Sequence, residues 1–260
     1  MPHTHANAIF MLSDDVLVKL VEACAAHDVF QLASVNTLFQ KLTGPKREQI
    51  KKVIDELDEC GDVYTSLNDP LDIVEYHFTN FSLSKKGFSA FSAAAMTGVM
   101  WNLEELQHGL INDDRMVTFS EVITSGLLPK LKTLDLSYHH LTYKGIDAFA
   151  SAIGNGALES LTDLSLATTL GMRDTMGDAG MIALANAIKP TPENPIGSLR
   201  KLEILYVYGN KIGASGAIAL ADAIDSKALP SLRTLCIDNS RLTQHPQLKV
   251  ACAARGIKLH

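Results

Sequence analysis

The chain has no C-x-x-C pair, no H-x-x-x-H pair and no glycine-rich phosphate loop, and each absence removes a class of chemistry. Its four cysteines, Cys24, Cys60, Cys236 and Cys252, stand far apart in sequence, which argues for reduced thiols in a cytoplasmic or nuclear protein rather than for disulfides or zinc. The nine histidines include no pair at metal-ligand spacing, so no metal site is expected. Asp135, Ser137 and His139 alternate along one segment, but without a nucleophile motif around them they do not make a triad, and no cofactor or catalytic residue is assigned. Long apolar runs are missing too. The longest early one, Ala8 to Leu12, is too short for the core of a signal peptide, and nothing reaches membrane-span length. Nor is there an excess of basic charge: the formal net charge of −6 argues against a general nucleic-acid binder.

What the chain does have is repetition. The segment LKTLDLSYHHLTYKGIDAFASAIGNGALESL from Leu131 superposes almost letter for letter on LEILYVYGNKIGASGAIALADAIDSKALPSL from Leu202. Each copy joins an L-x-x-L-x-L stretch, whose period of two suits a strand, to a Gly and then an i, i+3/i+4, i+7 apolar pattern that suits a helix. Anchored on a large apolar residue in mid-helix, the copies fall at Phe91, Phe119, Phe149, Leu184 and Leu220, at intervals of 28, 30, 35 and 36 residues. The two longer intervals carry insertions around 171–175 and 190–198, between elements where a solenoid tolerates them. Gly87, Gly145, Gly180 and Gly216 recur just inside each helix start, as expected where backbones approach closely, and Arg115 takes that place in the second copy. Ser84 and Thr142 occupy the helix N-cap place, filled by Gly177 and Gly213 in two other copies. One unit cannot bury its own apolar face, so stacking of neighbours must supply the core.

The pattern Leu202, Leu205, Val207, Asn210, Ile212, Gly216 resembles the ribonuclease-inhibitor type of leucine-rich repeat, and the likeness extends from about Ile73 to the end. It implies an α/β fold, a leucine-rich-repeat solenoid with a curved parallel sheet inside and helices on the convex side, its six strands centred near Tyr76, Leu106, Leu134, Leu164, Leu205 and Leu235. It also implies that the Asn of the motif satisfies backbone groups in the turn; the other copies read Phe81, His139, Thr169 and Ser240 there. Leu248, Ala251, Cys252, Gly256, Ile257 and Leu259 resemble the family's closing helix and short edge strand.

Residues 1–60 follow other rules and are expected to form a small all-α module ahead of a repeat domain over 61–260. A helix capped by Ser13, a break near 26–28, a second helix carrying Leu32, Val35, Leu38 and Phe39, and a charged third stretch over 46–60 can be read in turn. Leu12, Asp15, Val16, Leu17, Leu20, Asp28, Val29, Leu32, Val35 and Phe39 fall on the pattern of an F-box, with Ser13 where Pro is usual and Phe39 where Trp is usual. That resemblance implies a Skp-type adaptor of a cullin ubiquitin ligase bound through Leu12, Val16, Leu17, Leu20, Val29, Leu32, Val35 and Phe39. The same side chains also suit an amphipathic cap over the first repeat.

In such a horseshoe the residues flanking each L-x-L face the concave side. Glu75, His77, Asp135, Ser137, Asp163, Tyr206, Tyr208 and Asp238 are therefore the candidate partner surface, acidic along one stretch and aromatic along another. Three functions compete: a ubiquitin-ligase substrate receptor, a stand-alone binding or inhibitor scaffold, and a GTPase-activating regulator of the Ran type, whose loop arginine would be Arg173. In each the partner is a protein, with no nucleic acid and no membrane.

Overall fold

Four stretches of this chain share a leucine spacing of three, three and two: Leu128, Leu131, Leu134, Leu136; Leu158, Leu161, Leu164, Leu166; Leu199, Leu202, Leu205, Val207; and Leu229, Leu232, Leu235, Ile237. All sixteen side chains are buried. The first residue of each set opens a tight turn that its neighbour three positions on closes by hydrogen bonding, as from Leu161 N to Leu158 O at 3.0 Å and from Leu202 N to Leu199 O at 3.0 Å. Leu158, Leu199 and Leu229 make this turn with φ of 62°, 52° and 53°. A left-handed backbone costs a residue with a side chain about 1 kcal/mol or more. Full burial of a leucine contributes about 1.5–3 kcal/mol, which offsets it.

The computed structural model describes residues 80–83, 87–96, 103–108, 111–137, 140–168, 175–192, 194–195, 197–237 and 245–260. Among them the strands are β1 (Asn80–Leu83), β2 (Glu105–His108), β3 (Thr133–Asp135), β4 (Asp163–Ser165), β5 (Ile204–Tyr206), β6 (Thr234–Cys236) and β7 (Lys258–Leu259). They alternate with helices α1 (Gly87–Met96), α2 (Asp113–Thr124), α3 (Tyr143–Gly154), α4 (Gly177–Ile188), α5 (Ala214–Asp225) and α6 (Pro246–Ala254). The strands pair in chain order, every pair parallel, in one seven-stranded sheet. Phe81, Leu106, Leu134, Leu164, Leu205, Leu235 and Leu259 are successive register partners, and from Leu106 to Leu235 they form one buried apolar column. Behind it the helices stack a second column of buried Phe91, Phe119, Phe149, Leu184 and Leu220, with the first two rings 6.3 Å apart. This is an α/β solenoid of the leucine-rich-repeat kind, its core continuous from end to end.

The first strand corrects the expected position near Tyr76. The register partner of Leu106 is Phe81, and only three residues separate β1 from α1, where seven separate β3 from α3 and β5 from α5. The full-length turn of the regular copies does not extend to the first one. Asn80 and Ser82, which alternate with Phe81 and Leu83, therefore stand in register with Glu105 and Gln107 in the places anticipated for Glu75 and His77. The Asn position assigned to Phe81 falls in mid-strand for the same reason. A smaller correction concerns Gly177, which is the first residue of α4 and not the residue before it.

Successive helices are tied by a device that spans repeats. Asp113, in the first turn of α2, accepts from Thr142 N (2.9 Å), Thr142 Oγ1 (2.6 Å) and Gly145 N (3.1 Å) at the start of α3. Asp178 of α4 accepts from Gly213 N (2.6 Å) and Gly216 N (3.0 Å) at the start of α5. Each carboxylate thus satisfies otherwise orphaned amides at the positive end of the next helix. Glycine is required at the receiving position, because a Cβ on Gly145 would lie 2.5 Å from Asp113 Oδ1, and one on Gly216 2.8 Å from Asp178 Oδ1. At the closing end Leu248, Ala251, Cys252 and Ile257 are buried against the last repeat, and β7 pairs with β6. Arg255 Nη1 donates to Ile224 O at the end of α5 (2.9 Å).

Candidate binding surface on the sheet

Alternation along strands only three residues long sends the middle residue into the core and leaves its neighbours on the open face. In parallel register these outward residues form two rows. One runs Gln107, Asp135, Ser165, Tyr206, Cys236; the other Glu105, Thr133, Asp163, Ile204, Thr234, Lys258. Within each row neighbours are one strand spacing apart, about 4.8 Å.

The β3–β4 part of this face is polar and bonded to itself. Asp135 Oδ1 accepts from Ser137 N at 2.8 Å, the hydroxyls of Ser137 and Ser165 lie 2.6 Å apart, and Thr162 Oγ1 donates to Asp163 Oδ2 at 2.7 Å. No ion pair neutralises Glu105, Asp135 or Asp163 among the described residues. The salt bridges there join residues at the strand starts, Lys132 to Glu104 (2.8 Å) and Arg233 to Glu203 (3.5 Å).

The β5 part is aromatic. Tyr206 is half-buried, Tyr208 is exposed at 38 %, and their rings stand at 86° with centroids 6.5 Å apart. Buried Asn210 holds the turn beneath them: its Nδ2 lies 2.7 Å from Leu166 O, 3.0 Å from Val207 O and 3.4 Å from Tyr208 O. Neighbouring backbone locks the segment on both sides, through Leu166 N to Tyr206 O (2.8 Å), Thr168 N to Tyr208 O (3.0 Å) and Val207 N to Cys236 O (2.8 Å). Gly209, at φ +81°, has to be glycine, since any Cβ would run into Thr168 O.

Of the candidate partner residues the structure brings Asp135, Ser137, Asp163, Tyr206 and Tyr208 onto this one face, though Ser137 is largely covered. Glu75, His77, Asp238, Arg173 and the adaptor set Leu12, Val16, Leu17, Leu20, Val29, Leu32, Val35 and Phe39 lie outside the described residues. Ile204, Thr234 and Cys236 belong to the same rows and were missed. The alternation that picked out Tyr206 applies equally to Thr234–Cys236, but from that repeat only Asp238 was taken for the surface. Burial raises the pKa of the Cys236 thiol, and lifts that of core residue Cys252 to about 11 with help from the charge of Asp225. Neither thiol is poised as a nucleophile. The caps Asp113 and Asp178 also escaped notice, although both sit two residues before the recurrent Gly position. Among the described residues no three His, Cys, Asp or Glu converge on a possible metal site, and no helix is long and apolar enough to cross a membrane.

A family model for the leucine-rich repeat matches residues 128–150 and 198–221. Each match starts at or beside the tight turn and ends inside the helix, so it covers β3 with most of α3 and β5 with most of α5. These are the two copies with a seven-residue connection between strand and helix. The copy between them, with its insertion, is not matched. No curated protein matches the chain.

Proposed function

We propose that this chain is a protein-binding scaffold of the ribonuclease-inhibitor type of leucine-rich repeat, with the partner held on the open face of the sheet. The observation that carries this reading is the Tyr206–Tyr208 pair: two large amphipathic rings on a rigid, fully bonded backbone, with the aromatic character enriched at interface anchors. Acidic side chains on β2–β4 supply long-range steering toward a partner with a basic patch. Residues 1–60 complete the proposal as an F-box-like module ahead of a repeat domain over 61–260. Leu12, Val16, Leu17, Leu20, Val29, Leu32, Val35 and Phe39 would engage a Skp-type adaptor, making the chain a substrate receptor of a cullin ubiquitin ligase in the cytoplasm or nucleus.

Affinity capture with the full chain tests both halves. Leu32→Glu should abolish recovery of a Skp-type adaptor and leave the sheet-face partner bound, whereas Tyr206→Ala with Tyr208→Ala should do the reverse. Adaptor recovery that is absent from the unaltered chain would favour the cap reading of the N-terminal segment. Partner recovery that is unchanged in the tyrosine variants would move the binding surface elsewhere.

A further inference from the structure

The sheet face narrows the kind of protein segment it can take, and this step rests on the scaffold reading above. We propose that the Tyr206–Tyr208 corner seats a cationic side chain, and that the occupant is a proline-rich basic segment in polyproline II conformation with Lys or Arg at every third position, lying across the strands.

Two rings at 86° present a π-face and a ring edge to one corner, and a cation is attracted within about 6 Å of a tyrosine centroid. Charge decides between a cation and a neutral anchor. The outward positions of β2–β6 hold Glu105, Asp135 and Asp163 and no Lys or Arg, so every charged side chain these strands turn outward is a carboxylate, which favours a cation. Asp163 is the register partner of Ile204, one strand from the tyrosines, and Asp135 lies in the same row as Tyr206 two strands away.

Distance then selects the conformation. Two strand spacings are about 10 Å. A polyproline II helix rises about 3.1 Å per residue with three residues per turn, so residues i and i+3 share a face about 9 Å apart. A β-strand repeats its face every two residues, about 6.7 Å, which matches neither one strand spacing nor two, and an α-helix meets the interval, at about 10.5 Å, only with every seventh residue. A cation over Tyr206 therefore places the next, three residues on, at Asp135. Aromatic-lined surfaces are a known docking mode for this preformed, low-entropy helix.

The probe is a fluorescein-labelled peptide of four Arg-Pro-Pro units, with three comparisons: the same length with Glu for Arg, with Gln for Arg, and with the arginines gathered at one end. Anisotropy is read with the full chain. The spaced basic peptide should bind at least tenfold tighter than the Glu and Gln peptides and several-fold tighter than the clustered one. Tyr206→Ala should weaken it roughly tenfold, Tyr206→Phe should retain it because the ring face remains, and Asp135→Asn should weaken it and flatten its salt dependence. Circular dichroism confirms that each variant is folded. Equal binding of the Gln peptide, or indifference to Tyr206→Ala in a folded variant, overturns the proposal, and preference for the clustered peptide overturns the spacing. Should the basic peptide fail while Tyr206→Ala still abolishes capture of the natural partner, the scaffold reading stands and the cationic segment falls. Should both fail, both readings fall.

Discussion

The two halves of the open face are stiffened in opposite ways. Across β3 and β4 the outward side chains bond to one another and to their own backbone, with Asp135, Ser137, Ser165, Thr162 and Asp163 all engaged. Under β5 the work is done from below, by Asn210 reaching three carbonyls from inside the core. A surface whose side chains bond to one another on top offers a partner its carboxylate charge rather than new apolar contact. One supported from beneath can present whole rings at little conformational cost, because binding does not have to order them. The aromatic end should thus supply affinity, and the acidic end orientation and association rate.

The largest effect should come from the floor common to both halves. Leu164→Ala removes a buried leucine from the column crossing the sheet and should cost about 2–5 kcal/mol in denaturant unfolding, with loosening felt first by the adjacent repeats. Asn210→Ala should cost about 3 kcal/mol, since it strands the buried carbonyls of Leu166 and Val207. In native-state hydrogen exchange its effect should centre on the amides of Thr168 and Gly177, which bond into the same turn, and spare Leu136; uniform loss would mean that the two halves are not separately supported.

Asp178→Ala, which deprives α5 of its cap, should cost about 1–2 kcal/mol, and Asp113→Ala about the same at α3. The two changes lie in different repeats and should add; strong non-additivity would show the caps to be coupled through the stack. Next comes Ser165→Ala, which breaks the hydroxyl pair of the polar half for about 1 kcal/mol. Smallest of all, Tyr208→Ala should change thermal stability by less than about 1 kcal/mol, because the residue is exposed and its contact with Tyr206 is a ring-edge one. A larger loss than Ser165→Ala would make the tyrosine a packing element and reverse the contrast between the halves.

Sequence by itself determined the repeat, the alternation of strand and helix, the buried columns from Phe91 to Leu220 and from Leu106 to Leu235, and the placement of Tyr206, Asp163 and Asp135 on one side of the sheet. All of these follow from periodicity, since a period of two fixes a strand's faces and a recurring helix pattern fixes what must be shared with the next copy. Tertiary structure decided what periodicity does not encode. The first strand lies at Asn80–Leu83 because register with β2 is settled by pairing, which no spacing extrapolated from other copies can foresee. Asp113 and Asp178 became caps for a neighbouring repeat because stacking brings their carboxylates to amides 29 to 38 residues further along the chain, where local sequence shows only an acid in a first helical turn. That Cys236 stands next to Tyr206 and Thr234 next to Ile204 was settled in the same way: which residues neighbour one another in a row depends on how parallel strands align, and that alignment is fixed by burying one leucine column.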